Sequence, residues 1–465
     1  MRHETTSVLQ DVANNLVFVP ISNTHIEVST IIAEHASGLK DLDLTHSFIP
    51  HTFFVGEFCP KFITSVKNKS VYISLLPSPY RSPDDLMGRA QKVAQAAKEN
   101  HAKKVVLLAT DFPDARQDRG PQEDAKAHGE LNSVRMHARS FEAAGIDQII
   151  TTHEHTPRIS AFYALEYGLI HAQHPEWISE QARSLRPRDV QIPAHMDPGD
   201  ENIQKLGRQI FKSISPHALL ADYLLHHSSL VNTESKHYLE NNGASILLKA
   251  MDKGNRKFID DLYEALFLQD VSKMYCNKIR AAPNDPKAVE VEVLDIIGCK
   301  SVDGMLEIYA DDGLDTGGTM IKHVQWSEQG NLCSQKGHKY GVPEDRFIYF
   351  THPWLGGESH EAVQRTIYEK IKTKEFVTTN TRPYINEAQH HHFKKKSTVL
   401  RFADLWGDAI VANELGHDLG ARYTGFSSQE EQHEFLQPLY NLKRHTRHFL
   451  SGPKTHQREV PFYLR

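Results

Sequence analysis

The residues with the most chemistry in them lie between Met305 and Met320, in the run MLEIYADDGLDTGGTM. An apolar stretch that reads as a buried strand ends on two adjacent aspartates, Asp311 and Asp312. A third, Asp315, follows, and then Thr316, Gly317, Gly318 and Thr319. A loop of small residues directly after a strand exposes consecutive backbone N–H groups, and with the hydroxyls of Thr316 and Thr319 these can enclose a phosphate. Glycines at 317 and 318 let the main chain come that close. Open α/β sheets bind ligands at the carboxyl ends of their strands, so Asp311 and Asp312 are placed to hold ribose hydroxyls or a hydrated magnesium ion. A phosphate cradle beside carboxylates points to a phosphorylated sugar. The plain alternative, an acidic turn closing a strand, does not require this order of residues.

Such a loop needs a strand behind it and a helix after it, and the chain supplies that alternation. Short apolar, β-branched runs recur at Val105–Ala109, Ile149–Thr152, Ser245–Leu248, Met274–Cys276, Met305–Ala310 and Phe347–Thr351, each reading as a buried strand. Between them lie segments with helical spacing, such as Asp84–Asn100 and Leu131–Ala144, the latter followed by Gly145 where a helix C-cap prefers glycine. The pattern predicts α/β layers around mostly parallel sheets. One group of strands falls before about residue 160 and another after about residue 243, which predicts two similar α/β units in tandem. The stretch 167–215, rich in His, Pro, Arg and Asp, reads as an insertion. Asn386–Lys396, with His390–His392 followed by three lysines, reads as a solvated loop, and the tail after Gly416 is polar with scattered aromatics.

Composition narrows the classes. The chain has 465 residues, 39% hydrophobic and 24% charged, enough for two or three ordinary domains and too apolar for a disordered chain. With 53 Lys and Arg against 59 Asp and Glu, the formal charge of −6 does not suggest a dedicated nucleic-acid binder. Cys59, Cys276, Cys299 and Cys333 form no C-x-x-C pair, so neither a zinc site of that kind nor a disulfide framework is implied. The polar N-terminal residues and the lack of a long apolar run predict a cytoplasmic protein with no membrane association.

The block YADDGLDTGGT resembles the ribose-phosphate loop of type I phosphoribosyltransferase folds, and five further segments in order make the chain similar to the ribose-phosphate pyrophosphokinases, or PRPP synthetases. ARQDR at 115–119 matches the family's ATP-contacting motif, which implies that Arg116 and Gln117 contact ATP; a guanidinium offers paired donors to phosphate oxygens. IITTHEHTPRI at 149–159 resembles the strand, metal-binding histidine and proline turn of the family, with His155 in the histidine's place and His153 where an aspartate is usual. AMDKGNR at 250–256 resembles the family's Pro-Asp-x-Gly turn, with Met251 for the proline, and assigns Asp252 to magnesium. NKIR at 277–280, followed by PNDPKAVEVEVLDIIG, is close to the flexible catalytic loop. Lys278 and Arg280 match its two functional cations, and Asn277 replaces an aspartate. FFVGE at 53–57 keeps an aromatic and an acid, Phe53 and Glu57, which the resemblance places in an ATP site contributed from a neighbouring subunit; Val55 replaces a carboxylate there.

The resemblance spans roughly residues 15 to 415 and implies two tandem phosphoribosyltransferase-like domains. Residues 1–166 would carry the nucleotide contacts and 216–415 the ribose-phosphate loop, with 167–215 an insertion, 416–465 an extension and the active site near the domain junction. It implies an enzyme that moves the β,γ-diphosphate of ATP to the anomeric hydroxyl of ribose 5-phosphate, with Mg2+ as cofactor and a homo-oligomeric assembly. Asp315 to Thr319 would hold the 5-phosphate, Asp311 and Asp312 the ribose, and Lys278 with Arg280 the diphosphate in transfer. The departures at Val55, His153, Met251 and Asn277 leave room for a bulkier ribosyl acceptor such as ADP-ribose. A non-catalytic subunit that binds active paralogues is the remaining alternative, against which stand the retained Lys278 and Arg280.

Overall fold

A computed structural model of the chain describes residues 6–21, 32, 48–52, 57–77, 81–120, 129–177, 197–232, 234–280, 289–333, 337–356, 359–382 and 391–440. These fall into two compact α/β units, one of residues up to 215 with 403–422, the other of 216–402 with the segment from 423.

The first unit is built on a five-stranded, wholly parallel sheet. Its strands are β1 (Leu16–Pro20), β4 (Ser70–Leu75), β5 (Lys104–Ala109), β6 (Gln148–Thr152) and β7 (Phe211–Ile214), in that spatial order. A separate antiparallel hairpin joins β2 (Phe48–Thr52) to β3 (Phe58–Phe62). The central strand β5 is apolar from Val105 to Ala109 because both of its faces are covered: Val105, Leu107 and Ala109 join a core with Ala90, Val93 and Phe141, while Val106 and Leu108 on the opposite face are equally buried.

The predicted helices form where the signals lie. The helix Pro83–Glu99 starts from Ser82, whose hydroxyl accepts the amide of Asp85 at 3.1 Å, with proline first and two aspartates in the first turn. The helix Ser133–Ala144 starts from the Asn132 cap, so Leu131 is left outside it and exposed. It ends at Gly145 in the left-handed conformation, φ 82°.

Two segments lie elsewhere than the sequence suggests. Part of the stretch expected as an insertion is integral to the first sheet: the helix Glu201–Gly207 packs on the helix Arg158–Glu166, and β7 extends the ladder beyond β6. The approach of those two helices is so close that a Cβ at Gly207 would meet the Ser160 carbonyl oxygen at 1.7 Å. The helix Ala403–Glu414, expected in the second domain, belongs to the first unit through polar contacts as well as apolar ones. Trp406 Nε1 donates to Thr152 Oγ1 at 2.8 Å, and Glu414 accepts from the hydroxyls of Ser70 and Tyr72, both at 2.7 Å.

The second unit carries seven strands in the order β10-β9-β8-β11-β12-β13-β14. They are β8 (Ile246–Ala250), β9 (Ser272–Arg280), β10 (Val289–Ile297), β11 (Leu306–Gly313), β12 (Asp345–His352), β13 (Glu375–Thr379) and β14 (Ser397–Leu400). All neighbours run parallel except β10 and β9. The segment Asn277–Arg280, read as loop, is the end of β9, with Lys278 opposite Val291 and Arg280 opposite Val289; residues 281–288 lie outside the described ones. The lysine run expected in a loop is partly helical, His391–Lys396, because Phe393 is buried there with its ring 5.0 Å from that of Phe376. No helix among the described residues is long and apolar enough to cross a membrane.

A charged network lies beneath the second sheet. Lys249 of β8, fully buried, donates to Glu307 Oε1 of β11 at 3.0 Å, to the Tyr309 hydroxyl at 3.0 Å and to Ser327 Oγ at 2.8 Å. Glu307 also accepts from Arg346 Nε of β12 at 3.1 Å. These bonds tie three adjacent strands together, near the carboxyl end of β8 and at the amino ends of β11 and β12.

Candidate functional site

The carboxyl ends of β8 and β11 gather the second unit's candidate residues. The strand β11 runs three residues further than its apolar stretch, since Asp311 and Gly313 still pair with Phe350 and His352 of β12. Asp311 and Asp312 therefore stand at the carboxyl end of this central strand, half-buried, with the Asp312 amide donating to Asp311 Oδ1 at 2.9 Å. The turn after the neighbouring strand β8 carries Asp252. Its Oδ1 accepts the amide of Asn255, and the Asn255 side chain in turn donates to the Ala310 carbonyl, so the turn is pinned to β11 one residue before Asp311. Burial raises the carboxyl pKa of Asp311 well above its ordinary range, and the nearby charges of Asp312 and Asp252 push in the same direction. Three carboxylates predicted separately thus share one patch, whose mutual repulsion a cation would relieve.

The phosphate-loop residues follow directly. Gly317 is left-handed, φ 75°, and caps the helix Gly318–Glu328, whose first amides have no acceptor within the helix and whose dipole favours an anion. Thr316 Oγ1 accepts the Gly318 amide at 3.5 Å, so hydroxyl and helix start face the same space. Asp315 and Thr319 flank them, half-buried, while Thr316 and Gly318 are exposed. The loop is supported by residues that the sequence reading missed. Leu314 donates its amide to His352 and Leu355 donates to Leu314, at 3.0 and 2.8 Å. Gly356 approaches so closely that a Cβ there would meet Asp315 Oδ1 at 2.2 Å, and the Trp354 ring packs where a Cβ of Gly313 would be. The available signal was the glycine pair after β12, Gly356 and Gly357, at a second strand end.

In the first unit, Arg116 and Gln117 are exposed in the turn after β5. Gln117 is engaged: its side-chain carbonyl accepts from Ser133 Oγ at 2.5 Å and its amide nitrogen donates to Asp114 Oδ1 at 3.4 Å. The next residue, Asp118, is buried and pairs with Arg158 Nε at 3.6 Å, which ties this turn to the one carrying His155. His155 is exposed beyond β6, and His153 has a left-handed φ of 47°. That second turn is fixed by β7, because the amides of His153 and Glu154 donate to the Ile214 carbonyl and to Ser213 Oγ at 2.9 and 3.0 Å. Glu154 has its Oε2 shut off from solvent without a hydrogen-bond partner among the described residues. Burial pushes its carboxyl up to about 7 despite the opposing Arg208 charge.

Glu57 is exposed at the head of β3, whereas Phe53 and Val55 lie outside the described residues. The backbones of Lys278 and Arg280 are fixed in β9, and their side chains lie outside what is described.

The site geometry can be set beside known proteins. No protein-family model matches the chain. A ribose-phosphate pyrophosphokinase from Ralstonia nicotianae is 23% identical over 366 residues, covering 77% of this chain and 87% of that protein. Among solved structures, phosphoribosylpyrophosphate synthetase from Mycobacterium smegmatis superposes with a TM-score of 0.58 at 20% identity, covering 86% of this chain and 99% of that one. The resemblance carried by the six motifs thus extends to sequence along most of the chain and to fold: the chain is similar to a ribose-phosphate pyrophosphokinase, at the identity of a divergent relative, and folds as a phosphoribosylpyrophosphate synthetase does.

Proposed function

We propose that the chain is a ribose-phosphate diphosphokinase, transferring the β,γ-diphosphate of ATP to the anomeric hydroxyl of ribose 5-phosphate. The observation that carries this reading is the juxtaposition in the second unit: the Asp311–Asp312 strand end, the Asp315–Thr319 helix-start loop and Asp252, all at adjacent strand ends. A helix start with two threonine hydroxyls suits a phosphate monoester, and carboxylates beside it suit vicinal hydroxyls. One loop for the phosphate and one acidic pair for the ring fix a pentose phosphate at both ends.

In the reaction the anomeric oxygen forms a bond to the β-phosphorus, the bond from that phosphorus to the α,β-bridging oxygen breaks, AMP leaves, and the hydroxyl proton is released. The transfer depends on positioning and on neutralising charge rather than on a strong base. Lys278 and Arg280 would meet the diphosphate, and Arg116 and Gln117 in the first unit, with Phe53 and Glu57, would meet the nucleotide. Asp252 and His155 would hold magnesium, and the three-carboxylate patch fits a hard cation, since it offers oxygen donors and the charges of Asp312 and Asp252 add to the burial that raises the Asp311 pKa. When bound, that ion supplies charge neutralisation on the phosphates. The protein would act as a cytoplasmic homo-oligomer.

The test is AMP release from ATP and Mg2+ in the presence of ribose 5-phosphate, with ADP-ribose as a parallel acceptor. AMP formation with ribose 5-phosphate, lost in Lys278→Ala, is expected. Release with ADP-ribose alone moves the acceptor, and no release with either acceptor refutes the enzyme.

A further inference from the structure

The C-terminal segment has no part in the proposed reaction, yet it is firmly built into the second unit. Its helix Gln429–Leu436 starts from Ser428, buries Phe435 and Leu436, and is anchored where Gln432 Nε2 donates to the Ala265 carbonyl at 3.0 Å. This brings His433 against the end of the helix His217–His226, where Asp222 is wholly buried, His226 lies one turn on and His227 follows as the cap. His433 Nδ1 is 2.9 Å from Asp222 Oδ1, and His226 Nε2 is 3.6 Å from the same oxygen. One ligand atom from each of Asp222, His227 and His433 lies within 4.8 Å of the other two. The Tyr440 hydroxyl donates to Asp222 Oδ2.

A buried carboxylate is costly unless it is paired with positive charge or a metal. The ion-pair partners of Asp222 among the described residues are His226 and His433, both of them imidazoles rather than lysine or arginine. Two nitrogens and one carboxylate oxygen form a donor set suited to zinc and its neighbours in the first transition row, not to magnesium, which prefers oxygen alone. The Tyr440 bond to the second oxygen is the outer contact that orients a ligating carboxylate. The cluster also joins residues 211 positions apart in the chain, so a metal there would couple binding to the docking of the C-terminal segment.

We propose that Asp222, His227 and His433 bind one divalent transition-metal ion of the zinc class, with His226 or water at a fourth position. The ion fastens the C-terminal segment to the second unit, independently of the diphosphokinase reading.

The experiment uses the full, untagged chain in which His390–His392 are replaced by asparagine, removing a competing run of imidazoles. After chelation, Co2+ is titrated by calorimetry and visible absorption, and thermal unfolding is followed with and without Zn2+. The expected result is one Co2+ per chain with the visible bands of a four-coordinate ion, displaced by Zn2+ and not by Mg2+. His433→Gln and His227→Gln should each weaken Co2+ binding at least tenfold and abolish the Zn2+-induced rise in Tm, and Tyr440→Phe should weaken it about tenfold. The metal-free unfolding midpoint of each variant controls for misfolding. Absence of stoichiometric binding, or binding equal in His433→Gln, would overturn the site and leave a hydrogen-bonded His–Asp–Tyr cluster.

Discussion

Gly317 and Gly318 are adjacent, and the structure predicts that replacing each with alanine fails in a different way. At 317 the φ of 75° is left-handed, which costs an L-residue about 1–2 kcal/mol. A Cβ built there would also lie 2.9 Å from Ile367 Cγ1, a side chain in the unit's core. Gly317→Ala should therefore destabilise the second unit by about 2 kcal/mol, a fall in Tm of roughly 4–8 °C for a unit of this size. At 318 the φ is not left-handed, and the nearest atom to a Cβ is Thr316 Oγ1 at 3.6 Å, an ordinary contact. Alanine there gains helix propensity of up to about 1 kcal/mol, so stability should hold or rise. The new methyl, however, stands beside the Thr316 hydroxyl, in the space the proposed phosphate would fill. Losing one charge-assisted hydrogen bond costs about 1.5 kcal/mol or more, so Gly318→Ala should bind ribose 5-phosphate at least tenfold more weakly. Thermal unfolding and calorimetric titration of the two variants decide the matter. A Gly318→Ala protein that is stable and binds ribose 5-phosphate like the wild type would refute the phosphate loop. A Gly317→Ala protein as stable as the wild type would refute the strain argument.

Three other outcomes follow from named groups. Because the charge of Asp252 helps raise the Asp311 pKa, stability without metal should fall as pH rises from the ordinary carboxylate range through that raised value. Asp252→Asn should flatten this fall and remove stabilisation by Mg2+, both read from unfolding midpoints across pH; an unchanged pH profile would count against the shared patch. His217 is buried, and burial lowers its pKa from 6.5 to about 4, against the weaker pull of Asp261. Its neutral form stabilises the fold fully above pH 6.5, and roughly 3 kcal/mol should be lost as pH falls from there to 4, a loss that His217→Phe should reduce in acid titrations followed by circular dichroism. Lys249→Met leaves Glu307 buried with one cation fewer and should cost about 3–5 kcal/mol in urea unfolding; a cost under about 1 kcal/mol would mean that Arg346 alone satisfies Glu307.

What could be read from the sequence, and what could not, divides by the range of the interaction. The loop Asp315–Thr319 was legible because strand, turn and helix start are consecutive, so one window of sixteen residues holds the whole device. The apolar runs were legible because a strand buried on both faces needs nothing but apolar residues. Asp252 beside Asp311 was not derivable from spacing alone: it depends on β8 and β11 being parallel neighbours, a pairing between positions 60 residues apart that only the family resemblance suggested. Lys249 and Glu307 were invisible for a stronger reason, since in isolation a lysine and a glutamate in apolar strands read as interruptions, and only their mutual 3.0 Å contact makes them a core. The same holds for β7, whose short run FKSI says little until the ladder with β6 supplies its partners, and for the helix Ala403–Glu414, which Trp406 and Glu414 attach to the sheet of the earlier unit. Local order can fix which residues have chemistry to offer. Which of them meet is set by strand order, and here strand order brings a turn residue with no distinctive spacing, Asp252, beside the carboxylates of Asp311 and Asp312.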